Sequence, residues 1–314
     1  MTRFRMSLLT LITVLSVVVG GCSSAPDRPQ RTFGLSSDGE NAGVRSAFDT
    51  GEALGREPAV VNFFEAWAWQ RPLPVDTLYE IHNRGAIPAV TWEPWDPNAG
   101  EYQDGYSPSR IAAGEFDAYI TQWADAAARF DQPMQIRFAH EMNGTWYPWS
   151  VDGVRSTATD YLDAYRRVHD IFLRTGANKV QWVWSFDASS GRAEGLPVAE
   201  ASYPGDMYVD VIGIDGYNGG GEATSWQTPD EVFGGALQTA NAVAPGKPVW
   251  IYETGTGDQL GDKPAWITDL FEYLGTTSVS GLLWFDFDKQ GEANWRLDSS
   301  PAALDAASAA LSAW

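Results

Sequence analysis

Eight short apolar segments, each followed by a polar or helix-like stretch, constrain the fold of this chain more than any other feature. They are rich in branched and aromatic residues, and several are apolar on both faces, as expected of parallel strands that helices cover. The predicted strands are Thr32 to Ser36, Ala59 to Glu65, Ile87 to Glu93, Met134 to Glu141, Val180 to Asp187, Val209 to Tyr217, Val249 to Glu253 and Gly281 to Phe287.

Helices are predicted between these strands, and three of them have proline near the start, where a missing N–H costs nothing. The predicted helices are Asn41 to Gly55, Val75 to Arg84, Ser109 to Phe130, Thr159 to Arg174, Pro229 to Val243, Pro264 to Leu274 and Pro301 to Ala313, with a long loop and short helix over Ser189 to Met207. This alternation predicts a single (β/α)8 TIM barrel. A doubly wound open sheet is the main alternative, but residues 33–39 lack the glycine-rich phosphate turn typical of such sheets.

The start of the chain has the pattern of an export signal. Arg3 and Arg5 precede an uncharged, largely apolar run over residues 8–19, which is typical of a signal peptide. The run is short for a membrane-spanning helix. It ends at residues 19–22, Val-Gly-Gly-Cys, which resemble a lipobox, and Cys22 is the predicted site of lipidation. An ordinary secretory signal with an incidental cysteine is the alternative.

Three segments follow from this pattern. Residues 1–21 are predicted to be a signal peptide, residues 22–31 a lipid-anchored tether, and residues 32–314 the catalytic barrel. We therefore expect an exported lipoprotein at the cell surface or membrane, whose only membrane contact is the lipid on Cys22.

Composition argues against several classes of partner. A net charge of -20 disfavours nucleic acid. The chain has three histidines, of which His82 and His169 fall on predicted outer helices, so a multi-histidine metal site is not expected. With one cysteine, no intramolecular disulfide can form. We expect no cofactor, no metal ion and a monomer.

Acidic and aromatic residues end the predicted strands, where a barrel presents side chains to its substrate. They are Asp38, Glu65, Trp67, Trp92, Glu93, His140, Glu141, Asp187, Asp215, Tyr217, Glu253, Trp284 and Asp286. Two carboxyl groups beside aromatic rings fit cleavage of a glycosidic bond, in which one acid protonates the leaving oxygen and the other attacks or activates water. Composition alone does not choose the pair.

Two motifs make that choice through a resemblance. The run Arg137-Phe138-Ala139-His140-Glu141-Met142-Asn143-Gly144-Thr145-Trp146-Tyr147-Pro148-Trp149 resembles the fourth-strand motif of glycoside hydrolase family 26. The resemblance implies that Glu141 is the general acid/base. Val249-Trp250-Ile251-Tyr252-Glu253-Thr254-Gly255 is similar to the family's nucleophile strand, which implies that Glu253 is the nucleophile.

The resemblance extends to two more strand ends. Residues 213–217 imply that Tyr217 contacts the nucleophile, and residues 283–286 imply that Trp284 floors the sugar site. The fourth and seventh strands are three positions apart in a barrel, so their ends can face each other at the roughly 5 Å that a retaining reaction needs. We therefore predict retention.

The other predicted site residues support these two glutamates. Trp146 and Trp149 are candidates for the apolar or electron-rich setting that keeps the acid protonated, and Tyr217 and Arg137 are candidates for hydrogen bonds to the nucleophile. His140 is predicted to face the substrate or orient the acid, with a core histidine bonded to the backbone as the alternative. Arg137 has an equally reasonable structural interpretation, as the partner of a carboxylate inside the barrel.

The third strand end bears on the substrate. The family resemblance implies endo-acting hydrolysis of a β-linked polysaccharide, most often β-1,4-mannan. This chain departs from the Trp-His expected of many mannanases, because Trp92 is followed by Glu93, which looks closer to the glucanase-like branch. We predict a β-glucan with 1,3-1,4 or 1,4 linkages and Trp92 as a sugar platform. Glu93 is either a hydrogen-bond partner of the sugar or a clamp that holds other side chains of the site.

Two alternatives stay beside that prediction. The first is an endo-β-1,4-mannanase. The second is a lipid-anchored carbohydrate-binding protein without activity, which the presence of both Glu141 and Glu253 disfavours.

Overall fold

The computed structural model describes residues 31–37, 41–188, 195–219, 226–259 and 261–314. The predicted signal peptide, Cys22 and all of the tether except Arg31 lie outside these residues, as does Asp38. Across the described ranges, no helix combines the length and the apolar character needed to cross a membrane.

A closed barrel of eight parallel strands, joined in sequence order, confirms the predicted (β/α)8 architecture. The strands are β1 Thr32–Ser36, β2 Val60–Ala66, β3 Ile87–Glu93, β4 Met134–Phe138, β5 Val180–Asp187, β6 Val211–Asn218, β7 Val249–Thr256 and β8 Gly281–Phe285. A short antiparallel hairpin of β9 Asp288–Lys289 and β10 Ala293–Asn294 follows β8.

Helices surround the barrel. They are α1 Asn41–Leu54, α2 Val75–Asn83, α3 Pro108–Ala113, α4 Asp117–Phe130, α5 Ala158–Thr175, α6 Gly195–Ala201, α7 Pro229–Val243, α8 Lys263–Gly275 and α9 Pro301–Ala313. The prediction of one helix over Ser109 to Phe130 was wrong. Gly114, with φ of 93°, ends α3 in a left-handed cap, and α4 starts afresh at Asp117.

Alternation along each strand sorts side chains between two environments. On β4, Ile136 and Phe138 belong to the apolar core between barrel and helices. Arg137, between them, bonds across the barrel interior. Polar side chains continue inward on neighbouring strands, where Thr91 donates to the Oδ1 of Asn62 at 2.9 Å. A layer of hydrogen-bonded side chains thus lies between the site and an apolar cluster deeper in the barrel.

An irregularity in β7 changes this alternation near its carboxyl end. Ile214 of β6 pairs with Ile251, but the next residue, Asp215, pairs with Glu253, so Tyr252 is an extra residue in β7. The Tyr252 hydroxyl donates to Gln135 at 2.8 Å inside the barrel. Because of this bulge, Glu253 also faces inward rather than toward the helices.

Candidate active site

Glu253 lies at the carboxyl end of the barrel, where two donors meet its two oxygens. The Tyr217 hydroxyl donates to Oε2 at 2.6 Å, and Arg137 donates to Oε1. Glu253 is 5% exposed. The two groups predicted from the sequence to bond this carboxylate are both placed in contact with it.

Arg137 is the cation at the centre of the site, with no exposed surface. Its guanidinium also donates to Asp215 at 2.9 Å and to the hydroxyl of Thr91 at 3.0 Å. Burial raises the pKa of Asp215 to about 8, against the opposing effect of Arg137. A single buried cation therefore bridges two carboxyl groups on β6 and β7, as the structural interpretation of Arg137 foresaw.

Glu141 reaches the site through an unusual backbone. Strand β4 ends at Phe138, three residues earlier than predicted, because Ala139 and Glu141 adopt left-handed conformations with φ of 47° and 53°. The Glu141 N–H then donates to the Ser185 carbonyl of β5 at 3.0 Å. Such conformations cost about 1–3 kcal/mol each in residues other than glycine and cluster at functional sites.

The environment of Glu141 favours its protonated form. Burial, and then electrostatic repulsion from the nearby carboxyl groups of Asp215, Asp187 and Glu253, raise the pKa of Glu141 well above its ordinary value. The prediction that Trp146 helps to keep the acid protonated was wrong, because its indole N–H donates to Oε2 at 2.7 Å and lowers the pKa of Glu141. A carboxyl group that holds its proton near neutral pH is suited to general acid catalysis.

Aromatic rings enclose His140, which is 1% exposed. The hydroxyl of Tyr147 lies 3.1 Å from Nε2, and Trp149 donates to the main-chain carbonyl of His140 at 2.6 Å. Burial, followed by the charge of Arg137, holds the pKa of His140 well below its usual range. The imidazole is therefore neutral, and its Nδ1 has no hydrogen-bond partner among the residues described.

Glu93 faces the same mouth from β3. It is 7% exposed, and the indole of Trp95 donates to its Oε2 at 3.4 Å. Burial raises the pKa of Glu93 to about 7, and Glu253 adds to the increase while Arg137 opposes it. Glu93 is thus a further carboxyl group of the site, beside those of Glu141, Asp215 and Glu253.

Three of the predicted site tryptophans are instead packed inside the protein. Trp92, Trp149 and Trp284 have no exposed surface. Trp92 stacks on Trp123 of α4 with ring centroids 4.3 Å apart, and Trp284 donates to a main-chain carbonyl at 2.7 Å. The prediction that Trp92 and Trp284 present ring faces to sugar was wrong, and Trp149, which was predicted to form the surroundings of the acid, has no surface that a sugar could reach.

Strand parity explains the two strand-end tryptophans. Residue 93 points into the barrel, so residue 92 must point at the helices, and the same alternation sends Trp284 outward. Trp149 instead packs within the loop after β4, where its ring stacks on that of Tyr147 with centroids 4.2 Å apart. Trp146 remains 37% exposed beside Glu141, and is the one of the four predicted tryptophans with a surface available to a ligand.

Asp215 and Trp95 are site residues whose roles the sequence did not reveal. Asp215 stood among the strand-end acids, but nothing in the sequence paired it with Arg137. Trp95 lies just beyond β3. Its indole N–H reaches Glu93 because of the turn that follows the strand, and the sequence did not reveal that turn. In the ranges that the structure covers, no cluster of three or more His, Cys, Asp or Glu side chains is placed to hold a metal ion.

Comparison with known proteins gives consistent results for sequence and structure. The family described as Glycosyl hydrolase family 26 matches residues 34–247. Endoglucanase H of Acetivibrio thermocellus is 33% identical over 98% of this chain and 33% of its own length. A mannan endo-1,4-beta-mannosidase of Bacillus subtilis is 27% identical over 52% of each chain. This chain thus spans about a third of the first relative and about half of the second.

Solved structures show the same fold. That of a family 26 beta-mannanase from Bacteroides ovatus superposes with a TM-score of 0.64 at 20% identity, covering 90% of this chain and 88% of the other. A Bacillus subtilis mannanase gives a TM-score of 0.63, also at 20% identity, and covers 90% and 85% of the two chains.

Proposed function

Since this chain belongs to glycosyl hydrolase family 26, we propose that it is a retaining, endo-acting glycoside hydrolase that cleaves a β-linked polysaccharide. Glu141 is the proposed general acid/base and Glu253 the proposed nucleophile. The observation that carries the proposal is the contrast between two buried carboxyl groups at one barrel mouth. Burial and neighbouring acids favour protonated Glu141, whereas Arg137 and Tyr217 supply hydrogen bonds that a carboxylate accepts at Glu253.

The reaction proceeds in two displacements. A Glu253 oxygen attacks the anomeric carbon while Glu141 gives its proton to the leaving glycosidic oxygen, so the bond breaks and a glycosyl ester forms. Glu141, now ionised, takes a proton from water, whose oxygen displaces Glu253 and restores the original configuration. Arg137 and Tyr217 keep the Glu253 carboxylate in position through both displacements by their hydrogen bonds to it.

Azide rescue tests the two roles separately. In Glu253→Ala, azide replaces the missing nucleophile, and the expected product is a glycosyl azide of inverted configuration. In Glu141→Ala, azide attacks the glycosyl ester, and the product keeps its configuration. Glu65→Ala is a matched control, because Glu65 is also a buried strand-end glutamate, but it pairs with Arg71 at 3.9 Å.

The assignment fails if Glu253→Ala keeps the turnover of the wild type, or if azide gives a retained product with that variant. Loss of activity in Glu65→Ala equal to that of the other two would indicate general damage to the barrel. Sugar binding by a wild-type protein that cleaves nothing would favour the carbohydrate-binding alternative.

β-1,4-Mannan is the substrate that the comparisons support better. Several curated relatives carry the name mannan endo-1,4-beta-mannosidase, including two from Bacillus subtilis. The predicted β-glucan activity is the second candidate, because the relative named endoglucanase H matches nearly the whole chain and Glu93 stands at the third strand end. In either case we propose that Glu93, His140 and Trp146 meet sugar hydroxyls or ring faces.

A product screen separates the candidates. The wild type and Glu141→Ala are incubated with β-mannan, mixed-linkage β-glucan, β-1,4-glucan and xylan, and the released oligosaccharides are separated by chromatography. Mannan as the preferred substrate supports the first candidate, and mixed-linkage or β-1,4-glucan supports the second. Hydrolysis of none of them would contradict both.

We also propose, from the sequence pattern of residues 1–31, that the protein has a signal peptide, carries a lipid on Cys22 and is exported. Metabolic labelling with a radioactive fatty acid in a bacterial host tests this, with Cys22→Ser as the control. Label that persists in the variant would contradict lipidation at Cys22.

A further inference from the structure

Lys263 is a buried cation outside the site described so far. Its side chain has no exposed surface, and the nearest carboxylate is that of Asp258 at 4.0 Å. The ammonium instead donates to two main-chain carbonyls, those of Asn294 at 3.0 Å and Arg296 at 2.7 Å. Lys263 thus connects the start of α8 to the end of β10 and to the segment that follows it.

This placement is costly for stability. Lys263 is the first residue of α8, where the helix dipole disfavours a positive charge. A charge taken out of water also needs strong partners, and an apolar side chain of similar size often packs more favourably. Since the lysine does not stabilise the fold by its burial, we infer that its role is to hold the two main-chain carbonyls that it binds.

Trp295 is the residue held between the two bound carbonyls. Its own N–H donates to the Phe287 carbonyl at 2.8 Å, and its carbonyl accepts from the indole of Trp284 at 2.7 Å. The ring is 5% exposed. With the flanking carbonyls fixed by Lys263, the backbone of Trp295 has four hydrogen-bonded attachments around it.

The Trp295 ring packs against the active site. It contacts the ring of Tyr217 with centroids 5.1 Å apart, and it covers Gly255, where an added Cβ would lie 3.0 Å from the indole. Tyr217 in turn donates to Glu253 at 2.6 Å. A continuous path of contacts therefore leads from the buried lysine to the proposed nucleophile.

We propose that Lys263 is a positioning residue for Glu253, acting through Trp295 and Tyr217. The inference rests on the proposed function, since it concerns the nucleophile of that reaction. Lys263 touches no reacting atom. Loss of its two bonds frees the segment around Trp295, so that the Tyr217 hydroxyl is no longer held at hydrogen-bonding distance from Glu253.

Alkaline pH weakens the same contact. Burial lowers the pKa of Lys263 to about 8, while the charges of Asp258, Asp286 and Asp298 act in the opposite direction. Hydrogen bonds from an ammonium are stronger than those from a neutral amine. The two hydrogen bonds that fix the backbone on either side of Trp295 should therefore weaken as pH rises through the pKa of Lys263.

The test compares Lys263→Met with Lys247→Met. Lys247 also donates to two main-chain carbonyls, both at 2.7 Å, but it precedes β7 and so lies at the opposite end of the barrel. The probes are 2,4-dinitrophenyl β-mannobioside and β-cellobioside, whose leaving group needs no proton from Glu141. We expect kcat/KM to fall about tenfold or more in Lys263→Met, and to stay within about threefold of wild type in Lys247→Met.

The pH profile separates positioning from simple structural support. With these probes the wild type should show an alkaline limb in kcat/KM near pH 8, and Lys263→Arg, which keeps its charge, should recover most of the activity and move that limb to higher pH. If Lys263→Met does not fold, Trp295→Phe takes its place, because it leaves the main-chain carbonyls that Lys263 binds in place and its smaller ring removes part of the contact with Tyr217. The same fall in kcat/KM is expected.

Three results would overturn the inference while the wild type is active. They are equal kcat/KM in Lys263→Met and Lys247→Met, an alkaline limb that does not move in Lys263→Arg, or an unchanged kcat/KM in Trp295→Phe. A wild type that cleaves neither probe nor any polysaccharide would instead refute the proposed function, and the inference with it.

Discussion

Replacing Glu93 by glutamine should make the protein more stable at neutral and alkaline pH but not in acid. Glu93 is 7% exposed, and burial raises its pKa to about 7 from an ordinary value of 4.5. A folded pKa above the unfolded one means that the folded state binds more protons between these values. The stability associated with protonated Glu93 is therefore fully present below about pH 4.5 and is lost as pH rises through about 7.

The size of the effect follows from these two pKa values. Their difference is 2.5 units, from 7 minus 4.5, and each unit corresponds to about 1.4 kcal/mol. Integrated between about pH 5 and about pH 8, the wild type should lose about 2.5 kcal/mol that Glu93→Gln does not lose. Glutamine resembles the protonated acid in shape and can still accept from Trp95, so it carries no such dependence.

Urea denaturation of both proteins at the two pH values measures this difference. The free energy of unfolding of Glu93→Gln minus that of wild type should be near zero to slightly positive in acid, and should rise by about 2.5 kcal/mol at the higher pH. Glu101→Gln, at an exposed position, is the control and should show no such rise. A Glu93→Gln protein that gains stability toward acid instead would refute the assignment of a buried, protonated carboxyl group.

Three further substitutions test other parts of the site. Trp146→Phe removes the hydrogen bond that lowers the pKa of Glu141, so the alkaline limb of kcat/KM on polysaccharide should move to higher pH, and a move to lower pH would contradict this. Arg137→Met leaves two buried carboxyl groups without their cation, and the free energy of unfolding at neutral pH should fall by about 3–5 kcal/mol in urea. Trp92→Phe should lower the melting temperature, with a cost of about 1–3 kcal/mol, but leave KM unchanged. An increase in KM would restore the interpretation of Trp92 as a sugar platform.

The sequence predicts the barrel well because its signal repeats. All eight predicted strands appear in order, and β1, β3 and β5 have the predicted bounds. Strand ends are less accurate at β4 and β7. In both, the backbone departs from regular geometry near the site, through left-handed residues after β4 and a bulge within β7. Such departures depend on tertiary contacts, which local patterns of hydrophobicity do not record.

The prediction of site residues was wrong where it considered how close a residue lies to the end of its strand but not which face of the strand its side chain is on. Trp92 and Glu93 both end β3, but neighbouring residues of a strand point to opposite faces, so only one can enter the mouth. Glu93 does, and Trp92 joins the core. The same reasoning applies at β8, where Leu283 lies in an apolar cluster inside the barrel and Trp284 lies in the core outside it. The alternation of inward and outward side chains can be read from the sequence, and it places both Trp92 and Trp284 on the helix-facing side, away from a bound sugar.

Parity alone would nevertheless have excluded the proposed nucleophile. Tyr252 points inward, so a regular β7 would send Glu253 toward the helices, and only the bulge turns it to Arg137. Glu141 likewise reaches the mouth through a left-handed residue rather than a strand position. Both proposed catalytic groups therefore stand where the barrel is irregular. Arg137 links the two regions, because it precedes the left-handed residues after β4 and donates to Asp215 on β6 and to Glu253 beside the bulge of β7.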